Sequence, residues 1–539
     1  MGKKFVILIF LLFVSCHMII GLEKKDLPRK DANKCQSNAD CNDGKDCTSD
    51  QCDTRTGTCI NSLSSSEFIC RSAKGVCDIE ERCDGVNPEC PPDSVKPSTE
   101  VCRPSISLGT NCDPEERCTG DSAECPQDVI ADEGEPCNDG DDCTYGDVCD
   151  GEGQCAGENG LSSITYFSAS GSGSHVCAVL SQETAKCWGK GNDYQLGNGD
   201  ALNRNYPVNV SGLPDNDTIL QISSGGNHTC ILLRSGRIFC WGGNESGQLG
   251  NGSNDSSAEP VEVKVDLPSS SNFPAWDFVS AGLSYTCAIH RYHGVYCWGA
   301  NEKGQLGSGT TDAENEPVSV GDVGNRFVRV QSGFLHTCGV TDNGSVFCWG
   351  DNLYGQLGNA SVGDFSSTPV MVEGLDSDAK AIEVSTGSRH TCALLDNGNV
   401  MCWGDSGRGQ IGKSGATGGP VPEQVNLSEQ ALTESDIFRK IIYSGENHTC
   451  VLLSSGKLAC WGAGDSGQLG DGYEVDRFEP VFVEGLPSNP VSISCGSNFS
   501  CVVSSNTTIA CWGNNDYGQL GNGNDQKSLV PVQVICQEE

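Results

Sequence analysis

Basic residues are scarce in this sequence. Its 539 residues include 34 Lys and Arg against 72 Asp and Glu, which gives a formal net charge of −38. Nucleic-acid binding needs a concentrated basic surface, so this composition argues against it. The acidic excess favours calcium or basic partners, or simply solubility.

Catalytic signatures are missing as well. The chain contains no H-E-x-x-H, G-x-S-x-G or P-loop motif, the patterns that hold zinc, an activated serine or a nucleotide phosphate. No nucleophile–base pair stands out elsewhere. We therefore expect a protein that is not an enzyme and needs no cofactor, with calcium as the one ion left open.

Long apolar runs are absent beyond the N-terminus. No later segment approaches the ~18 apolar residues of a membrane span, so no transmembrane span is expected in the mature chain. At the start, Lys3 and Lys4 precede an apolar run at 5–14 and then small residues. This pattern is typical of a secretory signal. We predict a signal peptide at 1–21, a linker at 22–34 and a secreted protein.

Glycine and cysteine are instead abundant. The 68 glycines are nearly twice the average share of about 7%, and glycine weakens helix interiors by up to ~1 kcal/mol relative to alanine. A turn-rich fold is therefore favoured. The 34 cysteines are too many for a reducing compartment unless they hold metal. Their spacing divides the chain into an acidic, disulfide-rich region at 35–157 and a second region at 161–536.

The second region is a tandem repeat. Cys-Trp-Gly recurs seven times at intervals of 51–58 residues, and a cysteine lies ten residues before each copy. Between the two cysteines, an apolar stretch, a turn and another apolar stretch predict a β-hairpin. One short strand precedes this hairpin and a Pro-containing strand follows it. Four strands per unit and seven units predict an all-β fold, a seven-bladed β-propeller preceded by a loop-dominated region.

The repeat also resembles a known family. The unit reads G-x-x-H-T-C-A-L-L-x-x-G-x-V-x-C-W-G-x-N-x-x-G-Q-L-G-x-G, with its last motif seen at 247–250 and 355–358. This is similar to the repeat of the regulator of chromosome condensation family, over roughly 70% of the chain. The resemblance implies a seven-bladed propeller. It implies little about function, because that fold hosts a nuclear guanine-nucleotide exchange factor, membrane-traffic factors and secreted β-lactamase inhibitors.

The paired cysteines predict one disulfide within each blade. Cysteines that face each other across a hairpin have Cα atoms ~4.5–5.5 Å apart, inside the disulfide range of ~4.4–6.8 Å. Zinc is the alternative, but it needs four ligands, and each blade offers two thiols and sometimes a histidine. The predicted pairs are Cys177–Cys187, Cys230–Cys240, Cys287–Cys297, Cys338–Cys348, Cys392–Cys402, Cys450–Cys460 and Cys501–Cys511. Cys495 and Cys536 remain, and we predict that they bond and fix the chain end where the ring closes.

Histidine occupies one repeat position in five blades, two residues before the first paired cysteine. These residues are His175, His228, His336, His390 and His448. Tyr285 and Phe499 fill the same position in the other two blades. A metal ligand or catalytic base would not be exchanged for phenylalanine, so we expect packing or hydrogen bonding within each blade.

The acidic region contains internal duplications. The segment at 41–48 recurs at 137–144, and the segment at 70–93 has a second copy at 102–128. The pattern resembles the C-terminal half of disintegrin domains, which implies a disulfide-stapled adhesion module. No Arg-Gly-Asp occurs, and the adhesive loop reads Lys-Gly-Val at 74–76, so an integrin-type receptor is not the expected partner. The 17 cysteines at 35–155 leave one that is free, pairs between chains or bridges to the propeller.

Two further sets of candidate sites follow from local sequence. Calcium prefers several oxygen ligands, and the Asp-rich loops offer Asp43, Asp46, Asp139, Asp141 and Asp142. Twelve N-x-S/T sequons are compatible with a glycosylated exterior. Their asparagines are Asn209, Asn216, Asn227, Asn244, Asn251, Asn254, Asn343, Asn359, Asn426, Asn447, Asn498 and Asn506.

These observations predict a secreted, non-catalytic protein that uses its propeller for recognition or adhesion, with an extracellular protein or glycan as partner. Two alternatives stay open. One is guanine-nucleotide exchange, which the family resemblance implies but which an oxidised, secreted chain does not suit. The other is inhibition of an enzyme through a loop-rich face.

Overall fold

A computed structural model describes residues 34–105, 112–137, 144–159, 161, 164–169, 171–180, 184–264, 276–292, 294–376, 378–427 and 441–536. The predicted signal peptide, all of the predicted linker but its last residue, and Asp139, Asp141 and Asp142 lie outside these residues. No helix in this part of the chain is long and apolar enough to cross a membrane. The chain divides into two compact units, residues 1–105 with 114–129 and residues 106–113 with 130–539.

The larger unit contains seven four-stranded antiparallel sheets, each a meander in chain order. The first strands are Ile164–Ala169, Ile219–Ser224, Trp276–Ala281, Phe327–Ser332, Ala381–Thr386, Ile441–Ser444 and Pro490–Cys495. The second strands are His175–Leu180, His228–Leu233, Tyr285–His290, His336–Thr341, His390–Leu395, His448–Leu452 and Phe499–Ser504. The third strands are Thr184–Gly189, Ile238–Gly242, Gly294–Gly299, Val346–Asp351, Val400–Gly404, Leu458–Gly462 and Ile509–Gly513. The fourth strands are Arg204–Asn209, Ser257–Glu262, Glu314–Ser319, Phe365–Met371, Gly419–Gln424, Arg477–Phe482 and Ser528–Gln533.

The seven sheets form a closed ring. Each first strand contacts the first strand of the next blade, and Pro490–Cys495 of blade seven contacts Ile164–Ala169 of blade one. The predicted all-β, seven-bladed propeller is confirmed. Its apolar core lies between blades, because each motif tryptophan is buried against the disulfide of the preceding blade, as Trp241 is against Cys177–Cys187.

All seven predicted cysteine pairs are bonded, with Cα atoms 4.0–4.1 Å apart, which is closer than the ~4.5–5.5 Å expected for facing residues. The partners lie directly opposite each other in the hairpin register, as Cys392 and Cys402 do. The local spacing of ten residues therefore suffices to specify these bonds.

The predicted Cys495–Cys536 bond is wrong. Cys495 is a free, buried thiol, whereas Cys536 is disulfide-bonded to a different cysteine. Cys495 ends the innermost strand of blade seven, and Cys536 follows the outermost strand of the same blade. Three strand spacings of ~4.8 Å place such positions about 14 Å apart, beyond the ~6.8 Å that a disulfide spans between Cα atoms.

The N-terminal cysteine-rich region is built from short elements and disulfides. Its elements are the 3₁₀ helix Asn38–Cys41 and the strand pairs Thr48–Asp53 with Thr58–Leu63, Ile69–Arg71 with Glu81–Arg82, Val101–Arg103 with Glu116–Arg117, and Thr144–Cys149 with Cys155–Asn159. Its disulfides are Cys35–Cys52, Cys41–Cys59, Cys47–Cys83, Cys70–Cys90, Cys77–Cys118, Cys102–Cys125, Cys112–Cys149 and Cys137–Cys155. The cysteine that these eight bonds leave over is Cys143, which lies outside the described residues.

The internal duplication is visible in this region's ion pairs. Arg71 contacts the buried carboxylate of Glu81 at 3.3 Å, and Arg103 contacts the buried carboxylate of Glu116 at 3.2 Å. In each copy the same carboxylate also accepts a backbone N–H, from Ser94 in the first and from the corresponding residue of the second copy. Both copies therefore use one structural unit.

Candidate functional site

The same hydrogen bond crosses every seam between blades. The indole Nε1–H of the Cys-Trp-Gly tryptophan donates to the backbone carbonyl of the Gly-Gln-Leu-Gly glutamine in the preceding blade, at 2.9–3.1 Å. The pairs are Trp241–Gln195, Trp298–Gln248, Trp349–Gln305, Trp403–Gln356, Trp461–Gln410, Trp512–Gln468 and Trp188–Gln519. Gly250 ends one such motif with φ +66°, and a Cβ there would lie 2.6 Å from Nε1 of Trp298. The two motifs that define the repeat therefore form the contacts between neighbouring blades.

The histidines bond across the same seams. Nε2 of His228 lies 2.8 Å from Oγ1 of Thr286 in the next blade, and the other four register histidines contact a threonine or serine hydroxyl in the same way. Burial lowers the pKa of each of these imidazoles to about 3, so they are neutral. They are structural, as expected, but the prediction of bonding within a blade is wrong, because the hydroxyl belongs to the next blade.

Tyr285 and Phe499, which replace the histidine in blades three and seven, also contact residues of the next blade. In blade three, the hydroxyl of Tyr285 donates to the backbone carbonyl of His336 at 2.7 Å and lies 3.0 Å from the hydroxyl of Thr337. In blade seven, Phe499 shares one buried apolar cluster with Val176, which replaces the usual threonine of the next blade. The seam that closes the ring is therefore apolar where the others are polar.

A groove on the face formed by the Gly-Gln-Leu-Gly loops is the first candidate for a binding site. We call it the loop-face groove; it has a volume of about 340 Å³ and its lining includes Lys303, Leu353, Tyr354, Arg389 and Glu446. Leu353 and Tyr354 are 58% and 39% exposed. The guanidinium of Arg389 lies 4.6 Å from the centre of the Tyr354 ring. Exposed tyrosine and arginine side chains in a concave site are typical of protein interfaces.

The sequence motifs do not indicate this groove. Leu353 and Tyr354 occupy loop positions whose residue type changes from blade to blade. A search for repeat motifs selects the constant positions and so passes over them. The sequence indicates the groove only through Leu353 and Tyr354, two large residues in a loop that is mostly polar in the other blades.

The central cavity is the second candidate. It has a volume of about 530 Å³ and is lined by the first strands of all seven blades. Arg329 and Glu383 lie on adjacent strands in this cavity, with Tyr443 on the strand after them. Burial raises the pKa of Glu383 to about 7, so its carboxyl group titrates near neutrality.

Comparison with known proteins agrees with this architecture. A profile of the RCC1-like domain matches residues 269–539, and a profile of the regulator of chromosome condensation (RCC1) repeat matches residues 187–232 and 235–289. The chain belongs to the RCC1 family. Both profiles lie in the propeller region that carries the Trp–Gln seams.

Individual RCC1-type relatives cover this same region. The chain is 32% identical to the Ultraviolet-B receptor UVR8 of Arabidopsis thaliana over 360 residues, which are 66% of this chain and 78% of the receptor. It is 29% identical to the E3 ubiquitin-protein ligase HERC2 of Mus musculus over 62% of this chain, but it spans only 7% of that ligase. Among solved structures, Prp20p of Saccharomyces cerevisiae superposes with a TM-score of 0.57 at 22% identity, over 67% of this chain and 85% of that chain. Human WBSCR16 gives a TM-score of 0.54 at 22% identity, over 61% and 84% of the respective chains.

One predicted glycosylation acceptor has a structural role in the RCC1-type propeller. Asn244 is fully buried, and its side-chain amide donates to the backbone carbonyls of Ser253 and Asp255 at 2.9 Å each. Its Oδ1 accepts the backbone N–H of Leu249 at 2.9 Å. This position leaves no room for a glycan. Of the other predicted acceptors, those with exposed side chains are Asn209, Asn216, Asn254, Asn343 and Asn506.

The described calcium candidates lie in a local turn. The carboxylate of Asp43 accepts hydrogen bonds from the Thr48 hydroxyl at 2.8 Å and from the Lys45 backbone N–H at 3.0 Å. The hydrogen bond from Thr48 is the main cause that lowers the pKa of Asp43 below its usual range. Calcium binding by Asp43 and Asp46 stays a prediction.

Proposed function

We propose that this RCC1-type propeller is a non-catalytic recognition scaffold that binds a protein partner through the loop-face groove. The observation that carries the proposal is the exposed pair Leu353 and Tyr354 in a concave site with Arg389. Relatives agree with such a role in general terms, since UVR8 is a receptor and the yeast protein Prp20 has been solved bound to Kap60.

The groove is preorganised for binding. Lys303 lies 3.4 Å from the nearly buried carboxylate of Asp351, which also accepts a hydrogen bond from the side chain of Gln356 at 2.7 Å. The ring of Tyr354 is held by the Arg389 guanidinium. Side chains that are ordered before binding lose less conformational entropy when the partner docks, so Tyr354 is suited to anchoring an interface.

We also propose that the protein works outside the cell. The N-terminal pattern of a signal peptide and the fifteen described disulfides support an oxidising compartment. Glycans at the exposed sequon asparagines and a disintegrin-like adhesive role for residues 35–157 belong to the same proposal. Glycosylation is tested by measuring the apparent mass of the secreted protein before and after enzymatic removal of glycans.

The test compares two surface variants of the non-reduced, full-length protein. Leu353→Asp with Tyr354→Ser removes the apolar pair, and Met371→Asp is the control, because Met371 is 51% exposed on the outer strand of the same blade. Partners are captured from extracellular fluid by cross-linking and identified by mass spectrometry. We expect one partner to be recovered by wild type and control and lost with the groove variant. Equal recovery by both variants would place the interface elsewhere.

The alternative of guanine-nucleotide exchange is tested with the same preparation. The full-length protein is added to a Ran-like GTPase loaded with fluorescent GDP, and nucleotide release is followed with time. We expect the intrinsic release rate. Faster release would overturn the non-catalytic assignment.

A further inference from the structure

The central cavity is lined at one strand position by side chains that differ from blade to blade. In blades two to five, the residue after the bulge of the first strand lines the cavity; these residues are Gln221, Phe278, Arg329 and Glu383. The frame around them is nearly constant from blade to blade. Residues that differ at an equivalent position therefore define what the cavity can bind.

Most blades use a serine in the first strand to bind the next blade. The hydroxyl of Ser280, for example, accepts the backbone N–H of Ser332 at 2.9 Å, and Ser385 accepts that of Ser444 at 2.7 Å. Blades four and six have Gln331 and Tyr443 at this position instead. These two blades flank Glu383, so longer polar side chains replace the serines on one side of the cavity.

In the described part of the chain, that side also holds two opposite charges that are not ion-paired and one hydroxyl without a hydrogen-bond partner. Within the part of the chain that the structure describes, neither Arg329 nor Glu383 forms an ion pair, although they lie on adjacent strands. The Arg329 guanidinium donates to the backbone carbonyl of Val328 at 2.9 Å and lies 5.9 Å from the centre of the Phe278 ring. Oγ1 of Thr386 is buried and has no hydrogen-bond partner among the described residues. A guanidinium and a carboxyl group thus line one cavity without an ion pair between them.

We propose that this side of the central cavity binds a small zwitterion of the α-amino acid class, with its carboxylate at Arg329 and its ammonium group at Glu383. A zwitterion supplies both complementary charges, and charge-assisted hydrogen bonds are stronger than neutral ones. Gln331 and Thr386 offer further hydrogen bonds, and the Phe278 ring offers an apolar surface. The cavity volume of about 530 Å³ lies within the roughly 300–1,000 Å³ of small-molecule sites.

The variants for this test are compatible with folding. Gln221 occupies in blade two the position of Glu383 in blade five, and its side chain accepts the backbone N–H of Val279 at 3.1 Å and donates to the Val279 carbonyl at 2.9 Å. Glu383 accepts the N–H of Ile442 in the same manner. Glu383→Gln therefore copies a side chain that the frame already contains.

The experiment measures binding of glycine, glutamate, lysine and phenylalanine to the full-length protein by titration calorimetry. Acetate and methylamine, each with one of the two charged groups, are the ligand controls. We expect one site for at least one amino acid, weakened by about 10-fold to 100-fold in Arg329→Gln and in Glu383→Gln, as for the loss of one charge-assisted hydrogen bond. Glu316→Gln, at an exposed ion pair with Lys264, should leave the affinity unchanged.

Three results would overturn the proposal. They are the lack of any binding tighter than about 1 mM, binding that neither cavity variant weakens, and binding of acetate or methylamine as strong as that of the amino acid. Both cavity variants should keep the wild-type melting temperature, which separates lost binding from lost folding.

The pH dependence of the affinity provides a second readout. The ammonium group of the ligand needs the ionised form of Glu383, whose pKa burial raises to about 7. The groups facing Glu383 are Arg329 and Tyr443. Burial raises the pKa of Tyr443, so its phenol stays uncharged near neutrality. The affinity should rise between about pH 6 and pH 8 in wild type and stay constant in Glu383→Gln.

Discussion

The indole N–H of Trp188 donates a hydrogen bond to the backbone carbonyl of Gln519 at 3.1 Å, across 331 residues of sequence. This bond joins blade one to blade seven. At the other six seams, a threonine or serine hydroxyl also donates to the glutamine carbonyl, as Thr286 does to Gln248 at 2.9 Å. Blade one has Val176 in place of that hydroxyl, so the closing seam depends on the tryptophan more than the others do.

We predict that Trp188→Phe destabilises the propeller more than Trp298→Phe. Both substitutions remove the same ring atoms, but only the first leaves a buried glutamine carbonyl without any side-chain donor. A buried unsatisfied group costs about 1–3 kcal/mol, against about 0.5–1.5 kcal/mol for one ordinary hydrogen bond. Scanning calorimetry of the two non-reduced variants measures the difference in melting temperature. Equal melting temperatures would show that the second donor at the Gln248 carbonyl is irrelevant.

The pair Val176 and Phe499 should behave as one unit. Phe499→His alone places an imidazole nitrogen against an apolar neighbour, and Val176→Thr alone places a hydroxyl against a phenyl ring. The double variant rebuilds the histidine–threonine contact of His228 and Thr286. We expect the double variant to be more stable than the sum of the single variants implies, by about 0.5–3 kcal/mol of coupling. Additive effects in this double-mutant cycle would contradict a direct contact across the closing seam.

The sequence predicts local features of this molecule better than contacts between repeats. Cys392 and Cys402 are opposite each other because a ten-residue hairpin has one register, and the seven-fold repeat implies the propeller directly. The bond from Trp188 to Gln519 joins two repeats, and no spacing within one repeat indicates it. The sequence does contain one indication of this seam. The position of the usual threonine is valine only in blade one, as Val176, and blade one follows blade seven with its Phe499 around the ring. Cys495 and Cys536 do not pair, although both lie outside the repeat pairs, because they lie at the inner and outer strands of one sheet.

The thiol of Cys495 should react only when the propeller unfolds. Cys495 is buried, and burial raises its pKa to about 12, so the reactive thiolate is scarce at neutral pH. Iodoacetamide should leave Cys495 unmodified in the native protein and label it after denaturation without reductant, while Cys536 stays unlabelled in both. Peptide mass mapping gives the readout.

Cys495→Ser is the matched control for that experiment. Serine already occupies the equivalent end of the first strand as Ser224, Ser332 and Ser444, so this variant should fold with a stability within about 1 kcal/mol of wild type. A large loss of stability, or labelling of Cys536 in the unreduced protein, would contradict the free thiol at position 495.

Tyr194 lies in a backbone conformation that suits glycine. Its φ is +65°, and the same loop position in the other six blades is glycine with φ between +75° and +85°. A left-handed conformation costs a residue with a Cβ about 1–2 kcal/mol, and the Tyr194 side chain is 36% exposed. Tyr194→Gly should therefore stabilise the propeller by roughly 1 kcal/mol. This figure allows for the greater conformational entropy that glycine loses on folding.

The reverse change at blade two is the control. Gly247 has φ +85°, and a Cβ there would lie 2.6 Å from the Asn315 Cα. Gly247→Ala should therefore destabilise the propeller, by more than the conformational cost alone. If Tyr194→Gly lowers the melting temperature, the tyrosine side chain contributes more through its contacts than its backbone conformation costs.

The buried histidines should make the propeller sensitive to acid. Each has a folded pKa of about 3 against about 6.5 in the unfolded chain. Between these values the unfolded chain binds more protons, so stability falls as pH decreases from about 6.5. The loss is up to about 1.4 kcal/mol per pH unit for each histidine, and stability is constant above about pH 6.5.

His228→Phe with Thr286→Val copies the apolar seam of Phe499 and Val176 and removes one imidazole. The slope of unfolding free energy between about pH 4 and pH 6 should be smaller in this variant by up to that amount, as measured by urea unfolding. Glu383 has a raised pKa and contributes the opposite slope, but it is present in both proteins and cancels in the comparison. Parallel curves for variant and wild type would show that His228 is not neutral in the native seam.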